Sequence, residues 1–227
     1  MTIEEVAQRI GEIGIIPVVR AATVEEARLA VGAICAGGIP IVEITMTVPD
    51  APAVIRHVVE HYGSRVLAGA GTVLTAEQAE SCLDAGAEFL VSPGLSVPVM
   101  RAARARGKLS IPGALTPTEL MAACTEGARL VKIFPCGNVG GPEYLRSLRA
   151  PFPAVGLIPT GGVYLANAAD YIAAGAFALG VGSDLVNAAV LRKGDSQKII
   201  DSAKAFVEAV RFARSKKLTP AEPNHKG

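Results

Sequence analysis

Gly127-Ala128-Arg129-Leu130-Val131-Lys132-Ile133-Phe134-Pro135 carries the unit from which the rest of the chain is built. A glycine just past a helix-like stretch is followed by a short apolar run. Glycine is favoured at that point because it takes positive φ without a Cβ clash. The same arrangement recurs at Gly37, Gly63, Gly86, Gly107 and Gly175, and with Gly127 the intervals are 26, 23, 21, 20 and 48 residues. The last interval is two units of 24, its middle marker replaced by Ala150-Pro151. One strand and one helix of a parallel barrel occupy a repeat of this size.

The apolar runs predict strands over Ile39 to Ile44, Arg65 to Ala70, Glu88 to Val91, Lys108 to Ile111, Arg129 to Phe134 and Ala176 to Leu179. Ile15 to Val19 precedes them and Ala154 to Ile158 fills the long interval, which makes eight. Runs without alternation suit strands covered on both faces. Thr23-Val24-Glu25-Glu26, Thr75-Ala76-Glu77-Gln78 and Thr116-Pro117-Thr118-Glu119 read as helix starts of the capping-box type, the last with proline at the first helical position. An amphipathic helix over Asp195 to Arg214 closes the domain. Even spacing and the lack of a G-x-G-x-x-G favour a (β/α)8 TIM barrel over a doubly wound sheet. The reading is a single α/β domain over 1–214 with an N-terminal helix, followed by a flexible polar tail over 215–227.

Composition narrows the function. With 22 basic and 21 acidic side chains, the net charge of +1 lacks the basic excess of a nucleic-acid binder. There is no tryptophan to build a stacking platform for single strands. Mean hydropathy is +0.39, yet no apolar run reaches the ~18 residues of a membrane span. Met1 to Glu12 carries three glutamates and lacks the basic-then-apolar order of a secretory signal. Cys35, Cys82, Cys124 and Cys136 are widely spaced, with no C-x-x-C pair, and read as reduced thiols of a cytoplasmic protein.

Chemistry in such a barrel belongs at the C-terminal ends of the strands. Those ends hold Arg20, Glu43 with Thr45 and Thr47, Gly71-Thr72, Ser92-Pro93, Pro112-Gly113, Lys132 with Phe134-Pro135, Thr160-Gly161-Gly162 and Gly182-Ser183. Lys132 interrupts an apolar strand, and between Met1 and Arg192 the only other lysine is Lys108. An interior lysine loses hydration, which favours the neutral amine that attacks a carbonyl. The other reading is a strand-end lysine snorkelling to solvent or paired with a carboxylate. Glu43, in Ile41-Val42-Glu43-Ile44, is either a general acid/base or one half of a structural ion pair with Lys132 or Arg20. Gly161-Gly162 and Gly182-Ser183 follow the seventh and eighth strands, where backbone N–H groups and a short extra helix commonly bind phosphate. Asp184 to Ala189 is the predicted helix, and Thr160 and Ser183 add hydroxyls.

Two motifs lie in the wrong place. His57-Val58-Val59-Glu60-His61 matches H-x-x-E-H but falls on an outer helix, away from the strand ends, and reads as a solvated face with no metal. Gly69-Ala70-Gly71 lacks the third glycine and the distal acid of a dinucleotide site.

Taken in order, Pro17-Val18-Val19-Arg20, Val42-Glu43-Ile44-Thr45, Gly69-Ala70-Gly71-Thr72-Val73-Leu74, Ser92-Pro93-Gly94, Ile111-Pro112-Gly113, Val131-Lys132-Ile133-Phe134-Pro135 and Pro159-Thr160-Gly161-Gly162-Val163 resemble one family. It is the 2-keto-3-deoxy-6-phosphogluconate (KDPG) and 4-hydroxy-2-oxoglutarate aldolase family, and the resemblance runs from about residue 5 to residue 212. It implies a class I aldolase on a homotrimeric (β/α)8 barrel, without metal or organic cofactor. The Schiff-base lysine falls at Lys132 and the general acid/base at Glu43. Thr72 falls near the pyruvate carboxylate, Pro93 and Phe134 on the pocket wall, and phosphate contacts at Gly161, Gly162 and Ser183. Many members carry arginine four residues after the glutamate, where this chain has Thr47. Arg20 then becomes the candidate carboxylate clamp, as in a branch that includes phosphogalactonate aldolases, because a guanidinium pairs bidentately with a carboxylate. The expected substrate is 2-keto-3-deoxy-6-phosphogluconate; its C4 epimer and 4-hydroxy-2-oxoglutarate are the nearest rivals. A phosphate-binding isomerase or a non-catalytic scaffold is more remote.

Overall fold

The computed structural model describes residues 1–218. In chain order its elements are α1 (Ile3–Ile13), β1 (Ile15–Val19), α2 (Val24–Ala36), β2 (Ile41–Thr45), α3 (Ala51–Tyr62), β3 (Leu67–Gly71), α4 (Ala76–Asp84), β4 (Phe89–Val91), α5 (Val97–Ala105) and β5 (Leu109–Ile111). They continue with β6 (Gly113–Ala114), α6 (Pro117–Thr125), β7 (Leu130–Ile133), α7 (Pro142–Arg149), β8 (Gly156–Pro159), α8 (Ala168–Ala173), β9 (Leu179–Val181), α9 (Ala188–Arg192) and α10 (Ser196–Leu218).

All strand pairs are parallel, in the orders β5-β4-β3-β2-β1-β9 and β6-β7-β8. A parallel bridge between Thr160 and Gly180, with Phe177 N–H donating to the Leu157 carbonyl at 2.8 Å, brings β8 beside β9. The sheet therefore curls back on itself in a TIM-barrel-like α/β fold, with helices outside. The two strand faces differ in what they meet: alternate residues point inward, so Glu43 and Thr45 share one face of β2, and Leu130, Lys132 and Phe134 share one face at β7.

Glycines make the interior fit. A Cβ on Gly69 would overlap the ring of Phe89 from the neighbouring strand. Helix starts follow the threonines. Thr116 and Thr2 close full capping boxes with Glu119 and Glu5. At Thr23 and Thr75 the reciprocal bond slips one residue back, from Ala22 N–H to Glu26 (2.9 Å) and from Leu74 N–H to Gln78 (2.8 Å).

Three predicted boundaries shift for physical reasons. The strand expected over Lys108 to Ile111 continues past a break as β6, because Pro112 has no N–H to keep the ladder going. Its carbonyl instead accepts the Lys132 N–H at 2.9 Å, and β6 pairs with β7 while β5 pairs with β4. The last strand moves from Ala176–Leu179 to Leu179–Val181, since the Phe177 ring turns under the barrel, against Gly11 and Gly156. The closing helix runs to Leu218, beyond the expected end at Arg214. The rest of the predicted tail, 219–227, lies outside the described residues.

Candidate active site

Lys132 and Glu43 meet on the inner side of the curled sheet. Lys132 stands in register with Gly113 and Ile158, and Glu43 with Val18 and Gly69. Their residues are 2% and 3% exposed, and Lys132 Nζ lies 4.0 Å from Glu43 Oε1. That oxygen is buried and has no hydrogen-bond partner among the described residues. Burial pushes the Glu43 carboxyl above its ordinary range, against the lowering pull of the Lys132 and Arg20 charges. Of the two predicted readings of Glu43, the distance to Lys132 is that of an ion-pair contact. The Phe134 ring faces the amine, with its centroid 5.1 Å from Nζ.

Above Glu43 on β2, the Thr45 hydroxyl donates to the Val19 carbonyl (3.1 Å) and lies 2.6 Å from the Thr47 hydroxyl. Thr45 has one proton, so Thr47 is the donor between them. Arg20, the next residue after Val19, is exposed. No ion pair or hydrogen bond among the described residues holds its guanidinium.

Arg20 lines a cavity of about 120 Å³ with Phe134, Thr160, Gly161, Gly162 and Ser183. The loop after β8 is held from outside. The carbonyls of Thr160, Gly161 and Gly162 accept from Cys136 N–H (2.9 Å), Gly137 N–H (2.8 Å) and Asn167 Nδ2 (2.9 Å). A planar trans peptide points its N–H opposite its C=O. The N–H groups of Gly162 and Val163 thus point away from Gly137 and Asn167, and neither has a partner among the described residues. Successive free N–H groups form a concavity suited to anions. Gly161 and Gly162 both have φ of +78°, which makes glycine the natural residue at each.

The predicted helix over Asp184 to Ala189 is absent. Leu185 and Val186 N–H close a single turn on the Gly182 carbonyl (3.1 and 2.9 Å), and α9 starts only at Ala188, capped by Asn187. The Asp184 carboxylate is used instead to accept Leu165 N–H at 2.8 Å, which ties the two loops together. Ser183 nevertheless reaches the cavity wall, and so does Gly182.

Thr72 and Pro93 stand at the ends of β3 and β4, outside this cavity wall. Thr72 has φ of +56°, a strained setting for a β-branched residue. Val163 and Tyr164 also line the cavity and were not among the predicted site residues; the signal available was their position directly after Gly161-Gly162. His57 and His61 stack at 5.6 Å on α3, and no cluster of three metal-ligating side chains occurs among the described residues.

Comparison with known proteins identifies the family. A family model described as KDPG and KHG aldolase matches residues 6–202. The 2-dehydro-3-deoxy-6-phosphogalactonate aldolase of Escherichia coli (strain K12) is 36% identical over 197 residues, covering 86% of this chain and 96% of that one. The 2-dehydro-3-deoxy-phosphogluconate aldolase of Treponema pallidum (strain Nichols) is 37% identical, covering 88% and 93%. The crystal structure of KDPG aldolase from Legionella pneumophila, with pyruvate captured as a covalent carbinolamine, superposes with a TM-score of 0.82. It shares 28% identity and covers 88% of this chain and 97% of that one. On the family match, the shared identity and the shared architecture, the chain belongs to the KDPG and KHG aldolase family, a family of carbon–carbon lyases.

Proposed function

We propose that this protein is a class I aldolase cleaving 2-keto-3-deoxy-6-phosphogluconate to pyruvate and glyceraldehyde 3-phosphate, working on a closed (β/α)8 barrel. The observation that carries the reading is the buried Lys132–Glu43 pair at 4.0 Å. The neutral Lys132 amine attacks C2 of the keto acid, and loss of water leaves a protonated Schiff base. Glu43 takes the proton from the C4 hydroxyl as the C3–C4 bond breaks, and the bonding pair flows to the imine nitrogen to give an enamine. The aldehyde departs. Protonation at C3 and hydrolysis then release pyruvate and the free amine. The imine is the electron sink, so the sequence of steps requires neither metal nor organic cofactor.

A carboxyl kept above its ordinary range by burial suits this exchange near neutral pH. Phe134, Thr72, Pro93 and Thr160 would shape the pyruvate end, with Arg20 on the carboxylate. The glycine loop, with Gly182 and Ser183, would take the phosphate. The galactonate-series epimer is of equal standing as substrate, because Arg20 is present and Thr47 replaces the arginine; 4-hydroxy-2-oxoglutarate is a further candidate. The four described cysteines are free thiols, which supports a cytoplasmic setting. The expected homotrimer would elute at three times the 23.3 kDa chain mass.

Borohydride reduction in the presence of pyruvate tests the reading. One reduced pyruvate on Lys132, found by intact mass and peptide mapping, is the expected result. No adduct on folded protein at saturating pyruvate would move the function to a phosphate-binding isomerase or a scaffold.

A further inference from the structure

We infer that Asn167 is a positioning residue that sets the anion-binding form of the loop after β8. The inference rests on the proposed role of that loop as a phosphate site. Asn167 uses both ends of its amide on the loop: Nδ2 donates to the Gly162 carbonyl at 2.9 Å, and Oδ1 accepts the Tyr164 N–H at 2.8 Å. These two bonds bracket Val163. The first fixes the plane of the Gly162–Val163 peptide, and so directs the Val163 N–H away from Asn167. The second takes up the Tyr164 N–H, removing it from the concavity. One amide therefore decides which N–H groups a phosphate meets.

The Asn167 bond is the hydrogen bond that holds the carbonyl of this peptide among the described residues, while Val163 on its other side is packed into the core. Gly162 has no side chain and a φ of +78°, and glycine rotates there at little cost. Gly137 holds only the preceding peptide, through its 2.8 Å bond to the Gly161 carbonyl. Asn167 itself is fixed from its own side, standing in the 3-10 turn Leu165–Asn167 at the start of α8. An aspartate at position 167 would keep the acceptor for Tyr164 and lose the donor for Gly162. Its carboxylate would face the Gly162 carbonyl and favour rotation of that peptide.

The test uses the full chain with Asn167→Asp, and Asn167→Ala as a second variant should the first fail to fold. Inorganic phosphate is titrated while the Gly162 and Val163 amide signals are followed by NMR. In parallel, steady-state cleavage is measured on the phosphorylated substrate and on 4-hydroxy-2-oxoglutarate. The expected result is amide shifts in the parent protein and at least tenfold weaker phosphate binding in the variant. KM for the phosphorylated substrate should rise by the same factor with kcat within about twofold, a difference of ~1.4 kcal/mol in binding. Cleavage of the unphosphorylated substrate and pyruvate trapping at Lys132 should not change. Undiminished phosphate binding in the variants, or no response of these amides in the parent, overturns the inference, as does an equal loss on both substrates. A parent protein that cleaves neither substrate defeats the aldolase reading alone, because the phosphate titration still decides the role of Asn167.

Discussion

Gly71 on β3 leaves open the space that the Glu43 carboxylate of the adjacent strand fills: a Cβ at Gly71 would overlap Oε1 and crowd Cδ and Cγ. The two residues are thus one fitted unit, with the absent side chain on one strand matching the buried acid on the other. Strand glycines often mark such close approaches. Gly71→Ala is expected to displace the carboxyl from Lys132 and cost about 1–3 kcal/mol of stability through overpacking. Activity should fall well beyond what that loss of stability explains, while Gly69→Ala, which crowds Phe89, should act on stability first. Chemical denaturation and kcat for both variants would separate the two effects; equal activity losses would dissociate Gly71 from Glu43.

As the proposed acid/base, Glu43 should set the pH response. Its carboxyl is raised by burial, so the ionised base appears only above the ordinary carboxylate range. The cleavage rate should climb with pH through that titration, and Glu43→Gln should remove the limb and lower kcat by roughly 10²–10⁴. Stability runs the other way. A carboxyl with a raised folded pKa contributes fully below its unfolded pKa, and that contribution is lost as pH rises through the folded value. Melting temperatures at pH 5 and pH 8 should therefore show Glu43→Gln gaining on the parent protein as pH rises.

Arg20 is the proposed carboxylate clamp, and among the described residues no ion pair or hydrogen bond holds its guanidinium. Arg20→Ala should weaken pyruvate about tenfold, read as the concentration giving half-maximal borohydride adduct, in keeping with a lost charged hydrogen bond of about 1.5–3 kcal/mol. Unchanged pyruvate saturation with a raised KM for the phosphorylated substrate would assign Arg20 to the phosphate, whose proposed cavity it lines.

Arg214 illustrates a contribution far from the chemistry. It is half-buried, and its guanidinium donates to the carbonyls of Gly11 (2.7 Å), Glu12 (2.8 Å) and Phe177 (3.3 Å). It thereby covers the open end of α1 and holds the turn that feeds β9. Arg214→Ala should cost about 1–3 kcal/mol with kcat at 25 °C unchanged. Arg214→Lys should recover little, because an ammonium cannot span three carbonyls as the planar fork does.

Much of this architecture is legible in the residues. Ile15–Val19 has its predicted bounds, and the two charges set in apolar strands, Lys132 and Glu43, come together as buried neighbours. Both signals are strong because a charge inside a sheet needs a reason. The break at Pro112 was less visible: the proline stands next to a glycine that reads as a loop, whereas the chain resumes the sheet beyond it. The turn over 183–186 resembles a helix in composition, but its Asp184 carboxylate is engaged by the Leu165 N–H of another loop, a contact that local sequence does not record. The role of Asn167 is invisible for a similar reason. Its meaning lies in the direction of a peptide five residues away, which no pattern of residue types records.

The division of labour between strands and loops has a consequence for redesign. Lys132 and Glu43 are carried by β7 and β2, locked in register by their neighbours, whereas the anion-facing groups belong to the connections after β8 and β9. On the proposed mechanism, bond making and acceptor choice therefore sit on separately exchangeable parts. Grafting new 160–167 and 182–187 segments should yield catalysts that join pyruvate to unphosphorylated or aromatic aldehydes, with the reacting amine and its acid left in place.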